Sequence, residues 1–202
     1  MTRSKKHNTG LIILAGGFSS RMGYPKAFLQ VNGQTFAEMI CALYDGIADE
    51  KILVLNNVFC EEKWAHFTKR VRNNMICIMN SEPERDRIYS LKLGATSISA
   101  DRAFVHNIDQ PQLPRAVLSI LNSAKSDADI VLPTNKGKAG HPVLLSKRVL
   151  DDLRFNNITS VPLNEYFSQF SKEYVEVNSD LICQNINTLE DFDRHFHTEL
   201  TN

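Results

Sequence analysis

Along most of the chain, short uninterrupted apolar runs alternate with stretches whose apolar residues recur at helical spacing. "GLIILA" (10–15) is continuous and apolar, as a strand buried on both faces should be. "KILVLNN" (51–57), "MICIMN" (75–80), "RAFVHNID" (102–109) and "DIVLPTN" (129–135) read as further strands. Between them, "TFAEMICALYDGI" (35–47) places Phe36, Ile40, Leu43 and Ile47 on one helical face, with Thr35 and Glu38 predicting a capping box. "EEKWAHFTKRV" (61–71) sets Trp64 and Phe67 on one side, and "RIYSLKLGATSI" (87–98) is also helical. "PRAVLSILNSAK" (114–125) is a helix begun by proline, which suits a first turn.

The pattern then changes. "KGKAGHPVLLS" (136–146) reads as a loop feeding a strand, followed by two short helices over 148–155 and 160–170. "KEYVEVNS" (172–179) alternates like a half-exposed strand, and "TLEDFDRHFHTEL" (188–200) closes as an amphipathic helix. Alternation over the first two thirds predicts an α/β fold: one Rossmann-like domain over 10–202 with a mostly parallel sheet flanked by helices. Residues 1–9 read as a flexible basic tail.

Composition narrows the function classes. The 202 residues are 43% apolar, enough for a full core, and 23 basic residues balance 23 acidic ones. That balance argues against extended contact with nucleic acid. No apolar run approaches the roughly 20 residues a bilayer-spanning helix takes, and no signal-type segment follows "MTRSKKHNTG". The expectation is a cytoplasmic protein with no membrane partner. Four cysteines without C-x-x-C spacing (Cys41, Cys60, Cys77, Cys183) fit packed, reduced thiols.

Candidate chemistry concentrates in "LAGGFSSRMGYPK" (14–26), which leaves the first strand where open α/β sheets bind ligands. Gly16 and Gly17 let the backbone approach a ligand with its N–H groups outward. Arg21 offers a forked grip on phosphate oxygens and Lys26 a movable point charge. Neither G-x-G-x-x-G nor G-x-x-x-x-G-K-[ST] is present, so neither standard phosphate motif applies. Taken alone, the loop also fits a plain glycine turn with two solvated cations.

The longer string "LAGGFSSRMGYPKAFL" (14–29) resembles the signature of the nucleotidyltransferases that attach a nucleotide to molybdopterin, L-A-[AG]-G-x-S-x-R-M-G-x-x-K-x-L-L, departing at Phe28. The resemblance implies a nucleotide-diphospho-sugar transferase-like fold. It places Leu14, Ala15, Gly16, Gly17 and Ser19 against the nucleotide, with Arg21 and Lys26 as catalytic cations on its triphosphate. "NIDQPQL" (107–113) is similar to the segment whose aspartate, here Asp109, holds Mg2+ and acts in catalysis. "GHPVLLS" (140–146) resembles a segment bordering the second substrate, which assigns His141 to that site. "NSEPERDRIYSLKLG" (80–94) matches the base-and-ribose segment at Asn80, Ser90, Leu91 and Gly94, whereas Asp86 and Arg87 stand where small residues are usual. "NINTLEDF" (185–192) resembles the C-terminal D-x-D-T-P-E-D-L segment, with Asn185 and Asn187 where aspartates are common. Asn187 is the candidate second metal ligand, although Thr188 and Asp191 also read as a capping box that would make it a loop residue. His106 reads as packed within its strand, and His195 and His197 lack the spacing for a zinc site.

What the resemblance implies is Mg2+-dependent transfer of a nucleotidyl group from CTP or GTP to a phosphate monoester, molybdopterin, with release of pyrophosphate. Delivery of the product to a molybdoenzyme or its chaperone is the onward step it implies. The base signals conflict: "LAGG" accompanies GTP users, while "GHPVLLS" resembles the cytidylyl members, and the longer segment tips the reading toward CTP. Two alternatives remain open. One is a sugar- or alcohol-phosphate nucleotidyltransferase. The other is a catalytically inactive nucleotide-binding regulatory relative, motivated by Asn185, Asn187 and the altered 84–87 region.

Overall fold

Side chains along a strand point alternately to its two faces, and strand β1 (Thr9–Ala15) shows the result. Leu11, Ile13 and Ala15 enter one buried cluster, Ile12 and Leu14 the other. A strand apolar on both sides belongs in the middle of a sheet covered on both faces, and β1 lies there. The computed structural model describes residues 8–17, 22–124, 126–156, 158 and 161–196, without the side chains of Val58 and Cys60. Thr9, expected in the tail, is buried as the first residue of β1 and pairs with Arg102.

A small hairpin of β2 (Gln30–Val31) and β3 (Gln34–Thr35) follows the glycine loop and leads into α1 (Phe36–Leu43). The elements then alternate as β4 (Glu50–Asn56), α2 (Ala65–Val71), β5 (Ile76–Asn80), α3 (Arg87–Thr96), β6 (Arg102–Asn107) and α4 (Arg115–Ser123). The last third holds β7 (Ile130–Asn135), β8 (Lys138–Ala139), β9 (Val143–Leu145), α5 (Lys147–Phe155), α6 (Leu163–Tyr166), β10 (Lys172–Glu176) and α7 (Leu189–Phe196). The sheet order is β10-β7-β9-β6-β1-β4-β5, with β8 attached to β7. Its pairings are parallel except for β9, which runs against β6 and β7, and β8.

Helices α1, α2, α4 and α7 contribute to the cluster on one face, and α3, α5 and α6 to the cluster on the other. The architecture is the single α/β domain with a mostly parallel sheet that the alternation predicts. Gly94 lets α3 lie close on β1, because a Cβ there would run into Ile12.

Local chemistry accounts for the element ends. The Thr35 hydroxyl accepts from the Glu38 N–H at 3.2 Å while the Glu38 carboxylate accepts from the Thr35 N–H at 2.7 Å, so the capping box forms. Thr188 and Asp191 form a second box at the start of α7. The predicted 61–71 helix is split into a 3-10 turn over Glu62–Trp64 and α2. The 160–170 segment likewise splits, into α6, capped by Pro162, and a 3-10 turn at Phe167–Gln169. Pro114 occupies the cap of α4 rather than its first turn. Among the described residues, no helix is long and apolar enough to cross a membrane.

Candidate active site

The carboxyl ends of β1 and β6 open onto a cavity of about 330 Å³. Leu14, Ala15, Gly16 and Gly17 line it from the β1 side, and Asn107, Ile108 and Asp109 from the β6 side. Lys26 enters from a 3-10 turn, Lys26–Phe28. The side chain of Phe28, where the signature has leucine, is fully buried and stacks on Phe67, with ring centroids 5.4 Å apart. Phe59 and Trp64 close the same aromatic cluster. That packing fixes the turn and brings the Lys26 ammonium to the cavity, although the residue is only 9% exposed.

The Lys26 Nζ donates to Asn187 Oδ1 at 2.9 Å and lies 4.0 Å from Asp109 Oδ2. The C-terminal segment is pinned there by its backbone, since the Ile186 N–H donates to the Asp109 carbonyl at 2.8 Å. Asn185, one residue before that bond, is exposed and does not line the cavity. Asp109 Oδ1 is a buried oxygen with no hydrogen-bond partner among the described residues. A buried carboxylate oxygen left unpaired is costly, and a hard cation is one partner that satisfies it. Mg2+ keeps several waters and takes one or two carboxylates plus phosphate oxygens. The donor set therefore fits such an ion on Asp109. Among the described residues no cluster of three or more His, Cys, Asp or Glu forms a fuller metal cage.

Ser90 reaches the cavity from α3, and its Oγ accepts from Asn80 Nδ2 at 3.0 Å. Asn80 is almost fully buried at the end of β5 and acts behind Ser90, outside the lining. Gly16 faces this pair closely: a Cβ on it would come 2.6 Å from Ser90 Oγ and 3.4 Å from Asn80 Nδ2. Leu91 and Gly94, which also match the base segment, serve the packing of α3. Ser19 and Arg21 lie outside the described residues.

Beside this cavity is a second one, of about 530 Å³, between β7, β9, β10 and the α6 region. Ile130, Leu132, Val143 and Phe167 give it apolar walls, with Lys172 and Tyr174 at its β10 side. His141 lines it, its N–H donating to the Ile182 carbonyl at 2.9 Å. Burial, helped by the positive charge of Arg87, pushes the His141 imidazole down to about 4. It is therefore neutral at neutral pH and presents hydrogen-bonding nitrogens rather than charge. Arg87 lines both cavities.

His106 is fully buried, as its strand position suggests. The Gln110 carbonyl can only accept, so His106 Nε2, at 2.8 Å, carries the proton, and Nδ1 accepts from the Tyr44 hydroxyl at 2.9 Å. Through Gln110 this pair steadies the turn that presents Asp109. Burial pushes the His106 pKa down to about 4.

The structure thus gathers Leu14, Ala15, Gly16, Gly17, Lys26, Ser90, Asp109 and Asn187 in one cavity and puts His141 in its neighbour. The sequence reading passed over Asn107 and treated Arg87 as a misfit of the base segment. The signal for Arg87 was that misfit itself, a cation where a small residue is usual.

Residues 11–160 match the family described as the MobA-like NTP transferase domain. The chain belongs to that family. The matched span carries the glycine loop, Asp109 and His141, and ends before Asn187. The nucleotidyltransferase class expected from the loop is borne out at this level. A molybdenum cofactor cytidylyltransferase of Escherichia coli is 27% identical over 188 residues, 90% of this chain and 92% of the relative. A probable molybdenum cofactor guanylyltransferase of Natranaerobius thermophilus is 27% identical over 135 residues, 64% of this chain and 62% of the relative. Rv0371c of Mycobacterium tuberculosis H37Rv, solved in complex with manganese, shares the fold at a TM-score of 0.71 and 17% identity, covering 96% of this chain and all of that one.

Proposed function

We propose that the chain transfers a nucleotidyl group from CTP or GTP to a phosphate monoester, molybdopterin, releasing pyrophosphate. The observation that carries this reading is the meeting of Lys26, Asp109 and Asn187 beside the Gly16–Gly17 backbone at the carboxyl ends of β1 and β6. The loop amides and Lys26 bind the triphosphate and hold its charge as pyrophosphate leaves. An acceptor phosphate has its second pKa near 6, so it arrives largely ionised and needs no general base. His141, neutral, lines the acceptor cavity without competing for the phosphate as a cation. A divalent ion, Mg2+ in this reading, would sit on Asp109, with Asn187 beside it, and supply charge neutralisation of phosphate oxygens. The manganese complex of the mycobacterial relative supports a divalent ion, and the longer alignment to the cytidylyl relative favours CTP.

A second reading, of a relative that binds nucleotide without turnover, is favoured by one observation. The Asn187 amide oxygen already accepts from Lys26, where the resembling family commonly has a carboxylate. A thermal-shift series with CTP, GTP, ATP and UTP, each with and without Mg2+, tests binding. A ligand at 100 times its Kd adds about 2.7 kcal/mol of stability. The expected result is a rise for CTP or GTP that needs Mg2+, and a flat response to all four overturns the proposal. Pyrophosphate release on adding molybdopterin separates the two readings, since tight binding without release supports the inactive relative.

A further inference from the structure

We propose that Arg87 is a catalytic residue of the acceptor side, whose guanidinium bridges the acceptor's phosphate and the nucleotide's α-phosphate and so selects phosphorylated acceptors over their free alcohols. The proposal rests on the nucleotidyl-transfer reading above.

Two cavities lie side by side, and among the residues lining them Arg87 is common to both. A group transferred from a ligand in one cavity to a ligand in the other must cross the place where they join. Arg87 opens helix α3, and its Nη2 donates to Asn107 Oδ1. Asn107 is 6% exposed at the end of β6, two residues before Asp109, so the exposed guanidinium is tethered to a rigid strand end. Asn107 is its one hydrogen-bond partner among the described residues. A guanidinium has five N–H donors in a planar fork, which leaves enough for two phosphate oxygens.

The charge arrangement points the same way. Lys26, which also lines the nucleotide cavity, is engaged with Asn187 and Asp109. His141 is held neutral by burial, with Arg87 adding to the effect. Asp86 also lines the acceptor cavity, and Lys172 lies on its β10 side. Arg87 is therefore the cation at the junction, where two phosphates would otherwise repel. In the transfer, an acceptor phosphate oxygen forms a bond to the α-phosphorus as the bond from that phosphorus to its bridging oxygen breaks. Pyrophosphate leaves with the electron pair, and no proton has to move. A neutral alcohol would bring no charge for Arg87 to neutralise and would have to give up its proton during the transfer.

The test uses the full chain with Arg87→Gln and Arg87→Lys. With CTP or GTP saturating, kcat/KM for molybdopterin should fall by about 10²–10³ in Arg87→Gln, and Arg87→Lys should recover part of it. The Mg2+-dependent thermal shift with nucleotide should fall in both variants by much less than acceptor kcat/KM does, because Lys26 and the loop amides still face the triphosphate. Phenyl phosphate, titrated by NMR in the presence of a non-hydrolysable nucleotide analogue, should bind wild type and lose affinity at least about tenfold in Arg87→Gln. Equal phenyl phosphate binding by wild type and Arg87→Gln, or none by either, overturns the assignment. A nucleotide shift that collapses together with acceptor turnover overturns it as well, because Arg87 would then serve the nucleotide alone. Should Arg87→Gln fail to fold, Arg87→Lys carries the test through the fork's loss, with a fall in acceptor kcat/KM expected and wild-type values refuting it. Wild type that releases no pyrophosphate from any nucleotide refutes the transferase reading, while the phenyl phosphate titration still decides the role of Arg87.

Discussion

The two cavities that meet at Arg87 are built differently. The nucleotide cavity is lined by Gly16 and Gly17, which carry no side chain, together with Lys26, Asn107 and Asp109. Its neighbour is walled by Ile130, Leu132, Val143 and Phe167, which come from separate strands and a helical turn. In the proposed function, one site grips charge with fixed donors, and the other offers shape to the body of an acceptor. Polar groups aimed at developing charge act on rate, whereas apolar walls act on binding. Substitutions in the two regions should therefore show different kinetic signatures. The largest effects belong to the first: Lys26→Ala and Asp109→Ala should each reduce pyrophosphate release by about 10²–10³ at saturating substrates. Both variants should keep their far-UV circular dichroism. By contrast, Tyr174→Ala, at a residue 56% exposed beside the second cavity, should raise the acceptor KM with kcat preserved. A kcat loss in Tyr174→Ala equal to that of Lys26→Ala would erase the distinction.

That difference also governs how much could be read before the fold was known. The nucleotide cavity takes Leu14, Ala15, Gly16, Gly17 and Lys26 from one string of the sequence, whose glycines and cations make no sense as core, and the rest of its lining from later segments. Its α/β setting was legible because β1 and β4 are apolar on both faces and α1 between them keeps helical spacing. The acceptor cavity could not be read in this way. Leu132 and Val143 look like any strand residues, and only the antiparallel insertion of β9 between β6 and β7 puts them on one wall. Asn187 was ambiguous for a related reason. Its neighbours Thr188 and Asp191 do cap α7, as the loop reading required. Yet its side chain also reaches Lys26, 161 residues earlier in the chain. Sequence spacing could suggest either role, and the structure shows the capped loop together with the bond from Lys26.

The C-terminal segment links the two cavities, so a change on one side should be felt on the other. Gly140 borders the acceptor cavity, and a Cβ on it would run into the backbone carbonyl of Ile182. That carbonyl also accepts from the His141 N–H at 2.9 Å and from Gln110 Nε2 at 3.0 Å. Gly140→Ala must therefore push the 180–183 turn outward, four residues before Ile186 is tied to Asp109. Forcing extra volume into a packed contact costs about 1–3 kcal/mol, which a urea midpoint would register. Nucleotide affinity should weaken too, although the change lies in the other cavity. Gly17→Ala is the control: a Cβ there meets nothing within 4 Å among the described residues, so stability should be unchanged.

Acid should act on both regions alike. His106 lies beneath the nucleotide side and His141 beside the acceptor cavity, and burial lowers both to about 4 from an ordinary 6.5. Since the folded pKa lies below the unfolded one, stability is full above about pH 6.5 and is lost as pH falls toward about 4. From pH 7 to pH 5 each histidine should remove about 2 kcal/mol. His106→Gln keeps a donor for the Gln110 carbonyl and does not titrate, so its unfolding free energy should fall less steeply over that range. A slope identical to wild type would show that His106 titrates normally.

The smallest expected effect falls within the nucleotide cavity, at the residue where the base signals conflict. Gly16→Ala would place a methyl 2.6 Å from Ser90 Oγ and 3.4 Å from Asn80 Nδ2. Neither side chain is free to swing away. Ser90 is fixed on α3 and bonded to Asn80, whose Oδ1 in turn accepts from the Glu82 N–H at 2.8 Å. The methyl must therefore displace a coupled pair of hydrogen-bonding groups instead of one rotamer, with a penalty of about 1 kcal/mol. Because that pair sits behind the loop and not on the triphosphate cations, Lys26 and Asp109 should keep their full effect on rate. The expected outcome is a roughly fivefold to tenfold loss of affinity, unequal between CTP and GTP, with kcat preserved. Equal weakening for both nucleotides would place base choice outside the Gly16–Ser90–Asn80 contact, and a collapse of kcat would mean that Gly16 serves the reacting phosphates instead.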